Sequence, residues 1–329
     1  MKDEFEFIES IKPEKHHQSS LVLGIGDDAA VYQSTKDMRE VVCVDTMIEG
    51  VHFTKDTLSA FQIGRKALAI NVSDLAAMGA IPRFYLVSIA IPSEWNDHEV
   101  AELYRGMKHL AGQFDMDLIG GDTVSAKESL VITVTAIGQV EEHVELYRSK
   151  AEPGDAVFVT GSLGSSAAGL ELLLDKGREG FFNEEEHQLV KLHQEPFPQV
   201  QVGRICADMM VRMALNDVSD GLASEAHELA EASEVTLIIR EEDIPFHPAL
   251  RATKEAVEML EYACNGGEDF QLIGTICDSK VEELVQKGKK AGVSIHKVGE
   301  VQPKSDHPVY IQRQKGTEPL KKNGFNHFR

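Results

Sequence analysis

Four apolar stretches, VVCVDT (41–46), LAINVSD (68–74), MDLIGGDT (116–123) and MALNDVSD (213–220), each run into an aspartate. Sequence of this kind belongs in a core, so the chain must fold into packed layers that carry carboxylates along their rim. VVCVDT reads as a strand delivering Asp45 at its end, and SAFQIGRKALAINVSDLAAMG places its apolar residues at near-helical spacing over 57–79. FYLVSIAI (84–91), closed by Pro92, is apolar at almost every position, as in a strand covered on both faces, with a second subunit as one possible cover. Residues 97–113 read as helix, MDLIGGDT as strand, glycine turn and acid, and LVITVTAIGQV (130–140) as a β-branched strand. The polar stretch EEHVELYRSKAEPGD marks a linker. Beyond it come a strand AVFVTG, a helix opening in GSLGSSAAGLELL and two helices around Pro196-Phe197-Pro198. MALND then runs into a helix starting at Asp220, followed by a helix to about 262, turn plus strand in NGGEDFQLIGTI, a helix over 280–291 and two terminal strands. This interleaving indicates an α/β or α+β fold.

Length supports two domains, divided at the linker into 1–142 and 143–329. With 54 acidic against 33 basic residues the formal charge is −21, which argues against nucleic acid or an anionic membrane as partner. The four cysteines are far apart and form no C-x-x-C pair, as expected of reduced thiols in a cytoplasm. The start MKDEFEFIESIKPEKHH has acids where a signal peptide needs a basic region and an apolar core. Val72-Ser73-Asp74 precedes Gly120-Gly121-Asp122 by the same 48 positions that separate Val218-Ser219-Asp220 from Gly266-Gly267-Glu268, counting from Asp74 to Asp122 and from Asp220 to Glu268. Equal spacing suggests an internal duplication.

Asp27, Asp28, Asp45, Asp74, Asp122, Asp217 and Asp220 each abut a glycine turn, a strand end or a helix start. Any one alone is an ordinary cap or turn residue, and Asp220 before GLASEAHEL could simply cap its helix. Asp74, inside an apolar helical run, fits that explanation poorly. If several converge, each pair at about 4 Å repels by about 4 kcal/mol at an effective dielectric near 20, and a few pairs equal a domain's whole stability of about 5–15 kcal/mol. Either the acids stay apart or cations hold them. Oxygen ligands without His or Cys select hard ions, and Mg²⁺ bound through carboxylates and substrate phosphates fits best. Asp28, beside Asp27, then reads as a magnesium ligand. Gly120-Gly121 and Gly266-Gly267 would let backbone approach a phosphate, with a tight turn as the equally available explanation. No Walker sequence is present, and the glycines and alanines of GSLGSSAAG read mainly as helix packing.

Taken in order, GIGDDAAV, VDTMIEGVHF, KALAINVSDLAAMGA, LIGGDT, RSKAEPGD, VTGSLGSSAAGL, NDVSDGL and NGGEDFQL resemble the thiamine-monophosphate kinase family, within the aminoimidazole ribonucleotide synthetase-like superfamily. The resemblance implies an α+β fold of two domains with mixed sheets and a nucleotide cleft between them. It further implies an N-terminal domain that binds ATP and Mg²⁺ and dimerises, a C-terminal domain that completes the substrate site, and ATP-dependent conversion of thiamine monophosphate to thiamine diphosphate by a cytoplasmic homodimer. Carried over by motif, Asp28, Asp45, Asp74, Asp122, Asp217 and Asp220 are metal ligands. Tyr104, Gly121, Asp122, Arg148 and Ser219 contact ATP, and His52, Glu268 and Phe325 contact the thiamine substrate. Cys43 and Val44 stand where the family often has hydroxylic residues, so any metal contact there must come from a backbone carbonyl. Phe325 keeps an aromatic face for the cationic thiazolium, which Glu268 also suits.

Because the acceptor is itself a phosphate with a second pKa near 6, no general base is required, and direct in-line transfer without a phosphoenzyme is expected. The alternatives are another ATP-dependent enzyme of the superfamily, of the aminoimidazole ribonucleotide synthetase kind, and a non-catalytic nucleotide or Mg²⁺ sensor. Residues 1–23 lack the cysteine that selenophosphate synthesis would call for, and the chain ends in NHFR rather than in a cysteine.

Overall fold

The computed structural model describes residues 4–26 and 29–324, so Asp27, Asp28 and Phe325 lie outside the described residues. The chain divides into two compact units, residues 1–75, 80–143 and 177–179 in one, and 76–79, 144–176 and 180–329 in the other.

In chain order the first unit holds α1 (Glu4–Ile11), β1 (Leu21–Leu23), β2 (Val31–Tyr32), β3 (Met38–Ile48), α2 (Ala60–Ala77), β4 (Ile81–Ile91), α3 (Asp97–Ala111), β5 (Asp117–Ser125) and β6 (Val131–Glu141). Its four-stranded sheet runs β3-β6-β4-β5, antiparallel except for the parallel pair β4 and β5. α3 starts on a reciprocal cap between Asn96 and Glu99, and its apolar stripe of Val100, Leu103, Met107 and Leu110 is buried. α2 crosses it with backbone against backbone. A Cβ at Gly64 would lie 1.9 Å from Leu103 O, and one at Gly106 would lie 1.9 Å from Phe61 O, so both positions must be glycine for the helices to meet. β4 is less covered than its sequence suggests: Phe84, Tyr85, Val87 and Ile89 are buried but Ser88 is exposed. Its row neighbours on β3, Val42 and Val44, are 61% and 59% exposed, so part of this sheet face is open, while Phe84 and Ile137 on the same face are covered by Leu21, Ala30 and Tyr32.

The second unit continues with β7 (Asp155–Thr160), α4 (Ser165–Lys176), α5 (Glu184–Gln194), α6 (Val200–Asp208), β8 (Met213–Val218), α7 (Leu222–Ser233), β9 (Val235–Arg240), α8 (Pro248–Thr253), α9 (Ala256–Asn265), β10 (Gln271–Cys277), α10 (Val281–Lys290), β11 (Ile295–Pro303), β12 (Val309–Arg313) and β13 (Gly316–Pro319). Its seven strands are ordered β13-β12-β9-β11-β7-β10-β8. Leu222, Ala226, Leu229 and Ala230 of α7 pack on Val157, Val159, Leu237, Ile239, Ile273 and Val298 of the sheet. Each fully buried Leu or Ile there is worth about 1.5–3 kcal/mol. The GSLGSSAAG glycines serve packing, as expected: a Cβ at Gly169 would lie 2.2 Å from Leu189 O on α5. Among the described residues no helix is long and apolar enough to cross a membrane.

Two sequence expectations fail here. Gly120-Gly121 is not a turn, because β5 runs through it in register with Leu86 and Val87; the glycines admit the neighbouring strand, since a Cβ at Gly121 would lie 1.9 Å from Val87 O. The duplication is not supported either. Asp74 sits within α2 whereas Asp220 lies between β8 and α7, and Gly120-Gly121 is in a strand whereas Gly266-Gly267 follows α9. Equal spacing therefore falls on non-equivalent elements.

Candidate active site

In the first unit β3 and α2 bring Asp45 and Asp74 together. Their carboxyl groups are in hydrogen-bonding contact, which requires a shared proton, and burial raises the Asp45 carboxyl above its ordinary value against the opposing pulls of Asp74 and His52. His52 accepts a hydrogen bond at Nδ1 from Ile48 N at 3.0 Å, so Nε2 carries the ring proton. The half-buried Cys43 thiol lies beside both acids. Burial first, and then Asp74 and Asp45, push it well up, and it donates to Asn71 O at 3.2 Å. A neutral, donating thiol is a poor ligand for a hard cation, so Cys43 can offer only its backbone. The Val44 side chain, 59% exposed, belongs to the alternate row of the strand and likewise leaves only backbone for such a contact.

Asp122 does not meet this pair. It is exposed on β5, level with Ser88 and Thr133, with β4 and β6 between it and β3; three steps of about 4.8 Å separate the strands by about 14 Å. Gly121 precedes it in the same strand. Tyr104 is 8% exposed on α3, and burial beside Tyr85 holds its hydroxyl neutral.

In the second unit Asp217, next to last in β8, is 3% exposed. Asp220 does not cap α7, whose N-cap is Gly221. Arg148, which as a linker residue would ordinarily be a solvated charge, is pinned instead: Nε donates to Asn216 Oδ1 at 2.8 Å and a terminal nitrogen meets Glu228 at 2.8 Å. The Gly266–Phe270 segment folds back on the Val218-Ser219-Asp220 turn, with Glu268 N donating to Ser219 O at 2.7 Å and Phe270 N to Val218 O at 2.9 Å. Glu268 and Phe270 have φ of 69° and 48°, a costly conformation for residues with side chains. Glu268 is 3.6 Å from buried His193, whose Nδ1 also meets Ser166 Oγ at 3.0 Å. Gly324 passes close by, where a Cβ would lie 2.4 Å from Asp220 O.

Three residues escaped the sequence reading. Glu225, 3% exposed on α7, accepts hydrogen bonds from Asn216 Nδ2, from Ser219 Oγ at 3.3 Å and from Asp220 N at 3.1 Å; burial, with Asp217 and Glu228 nearby, pushes it up to about 8. Asp269 receives Gly164 N at 2.6 Å and Ser166 N at 3.0 Å at the start of α4, and burial pushes it up to about 7 against those donors. His193 is the third. The helical row Leu222, Glu225 and Leu229 would have exposed the first, since an acid on an apolar stripe needs a reason.

Asp45 and Asp74 meet in the first unit, Asp122 lies apart from them on β5 of the same unit, and Asp217 and Asp220 belong to the second unit. Among the described residues no three or more His, Cys, Asp or Glu side chains are grouped to hold a metal. The Asp45–Asp74 pair nevertheless fits a hard divalent cation in its donor chemistry: two half-buried carboxyl groups face one another with a shared proton between them. A cavity of about 920 Å³ in the second unit, lined by Phe197, Phe246, His247, Arg251, Gln271 and His296 among others, includes none of the expected site residues.

Residues 26–140 match the family model described as AIR synthase related protein, N-terminal domain, and residues 152–312 match the corresponding C-terminal domain. A thiamine-monophosphate kinase of Bacillus subtilis (strain 168) is 48% identical over 327 residues, 99% of this chain and 100% of that protein. One of Buchnera aphidicola subsp. Acyrthosiphon pisum is 34% identical over 99% of this chain and 98% of its own. The crystal structure of thiamine-monophosphate kinase from Stenotrophomonas maltophilia K279a superposes with a TM-score of 0.84 at 31% identity, covering 93% of this chain and 94% of that one. A structure of AaThiL complexed with AMPPCP and TMP superposes with a TM-score of 0.77 at 29% identity, covering 92% of each. Motif order, two-unit architecture and full-length identity agree, and the chain belongs to the thiamine-monophosphate kinase family.

Proposed function

We propose that the chain transfers the γ-phosphate of ATP to the phosphate of thiamine monophosphate, releasing ADP and thiamine diphosphate. The observation that carries this is the 48% identity along essentially the whole chain to a thiamine-monophosphate kinase. The Asp45–Asp74 pair and the Arg148 guanidinium held by Asn216 and Glu228 support the reading.

Asp45 and Asp74, with Asp28, Asp122, Asp217 and Asp220, are the residues proposed to hold Mg²⁺, while Cys43 and Val44 offer backbone carbonyls. Mg²⁺ held there would neutralise the charge on the ATP triphosphate, on the acceptor phosphate and on the leaving ADP. Gly121, Asp122, Arg148, Ser219 and Tyr104 are assigned to ATP. Arg148 suits a phosphate oxygen because its guanidinium is already oriented by Asn216 and Glu228; Tyr104, being buried, can offer at most its edge. His52, whose Nε2 carries the ring proton, is assigned to the acceptor phosphate, and Glu268 and Phe325 to the thiamine cation. The acceptor phosphate, largely dianionic at neutral pH, attacks in line as its own nucleophile, so these residues position and neutralise rather than move a proton. The chain works in the cytoplasm as a homodimer whose first-unit sheets meet through the open face carrying Val42 and Val44. Rapid-quench analysis with γ-labelled ATP tests the chemistry: label should pass to thiamine diphosphate without residence on protein, and a labelled protein intermediate formed at the turnover rate would overturn direct transfer.

A further inference from the structure

One buried network in the second unit joins residues that the functional reading assigns separately to nucleotide and metal. Glu225 Oε2 accepts from Asn216 Nδ2, and Oε1 accepts from Ser219 Oγ and Asp220 N. Asn216 Oδ1 accepts from Arg148 Nε. Glu225 and Asn216 are 3% and 1% exposed. The polarity of the path from Arg148 through Asn216 to Glu225 is fixed, because Arg148 can only donate; the Asn216 amide must therefore turn its oxygen to Arg148 and its nitrogen to Glu225. A carboxylate needed only to steady the β8–α7 turn would require the bond to Asp220 N alone. The path through Asn216 to Arg148, 77 residues before Glu225 in sequence, links that turn to a guanidinium on another segment.

We infer that Glu225, acting through Asn216, is a positioning residue that sets the Ser219-Asp220 turn and the Arg148 guanidinium in register for one nucleotide. The inference rests on the assignment of Arg148 and Ser219 to ATP. Glu225 itself touches no substrate; it fixes the separation between two groups that do. The arrangement makes a prediction that simple stabilisation does not, because its hydrogen bonds can be exchanged in polarity. Glu225→Gln would put an amide nitrogen opposite either the Asn216 amide nitrogen or the Asp220 N–H, donor against donor in both orientations. Asn216→Asp would remove the amide donor to Glu225 and crowd two carboxyl groups together. With both substitutions present, the introduced glutamine donates its amide N–H to the introduced aspartate. That aspartate still accepts from Arg148, and the glutamine carbonyl oxygen still accepts from Ser219 and Asp220.

The test uses the full chain and its two single and one double variants. The readouts are KM for ATP and for thiamine monophosphate, kcat, calorimetric binding of AMPPCP with Mg²⁺, and thermal unfolding. Each single variant should raise KM for ATP and weaken AMPPCP binding at least tenfold, with KM for thiamine monophosphate within threefold of the unaltered protein and the melting point within a few degrees. The double variant should return both nucleotide readouts to within threefold. Single variants that bind AMPPCP normally, or a double variant no better than Glu225→Gln, would overturn the inference. Should Glu225→Gln fail to fold, the double variant decides: folding with near-normal AMPPCP binding supports the exchange, and weak binding by a folded double variant, or its failure to fold, refutes it. Failure of the unaltered protein to release ADP in response to thiamine monophosphate would refute the functional reading instead, and AMPPCP binding would still judge the network.

Discussion

Replacing Asp45 by Asn should make the ligand-free protein more stable and the enzyme nearly inactive. Asp45 and Asp74 share one hydrogen-bonded contact in a half-buried place. Two carboxylates about 4 Å apart repel by about 4 kcal/mol at an effective dielectric near 20, which is the ceiling on what the pair costs the ligand-free fold. Solvent access and the shared proton reduce it to about 1–2 kcal/mol. An asparagine donates its amide N–H to Asp74 without having to take up a proton, so most of that cost disappears. For a unit of this size about 1–2 kcal/mol corresponds to a rise of about 2–8 °C in melting temperature. The same change takes an oxygen ligand from the cation that both substrates need. A loss of about 3 kcal/mol in transition-state stabilisation lowers kcat/KM about 100-fold. Calorimetry in EDTA and a coupled ADP assay measure the two effects on one preparation. A folded variant that melts no higher than the unaltered protein, or that keeps activity within tenfold, would refute the reasoning.

Other substitutions probe other parts of the account. Gly121→Ala should lower the melting point far more than Gly120→Ala, because the added methyl meets Val87 O at 1.9 Å in the first case and only Leu86 Cδ2 at 3.4 Å in the second; equal losses would remove the strand-contact explanation. The Asp269 carboxyl, raised in the fold from 3.8 to about 7, binds more protons folded than unfolded between those values, so its stabilisation is full below about pH 4 and is lost as pH rises through about 7. That amounts to up to about 4 kcal/mol. Urea unfolding from pH 5.5 to 8 should show this downward slope, and Asp269→Asn should flatten it; an unchanged slope in the variant would count against it. Val44→Lys on the open sheet face should shift light scattering from dimer to monomer, and a dimer that persists unchanged would place the interface elsewhere.

Much of the architecture was legible because strands and helices follow hydrophobic periodicity, and VVCVDT, SAFQIGRKALAINVSDLAAMG and MALND landed on β3, α2 and β8. VTLIIR, which forms β9, was passed over although it is a β-branched run directly behind a helix. Local rules misled where distant backbone decides: Gly120-Gly121 has turn composition, yet the strand continues because Val87 presses against it. Equal spacing of two short motifs suggested a repeat that the elements do not share. The acids at Asp45, Asp74 and Asp217 were readable because apolar sequence surrounds them. What holds them was not: the Asn216–Glu225 link to Arg148 joins segments far apart in sequence, and Glu225 alone resembles any acid on a helix.

The most direct measurement of the central claim follows ADP and thiamine diphosphate together while thiamine monophosphate and Mg²⁺ are each varied. The account predicts that the two products appear in equal amounts and only when both are present. ADP released at the same rate without thiamine monophosphate, or turnover indifferent to EDTA, would contradict it.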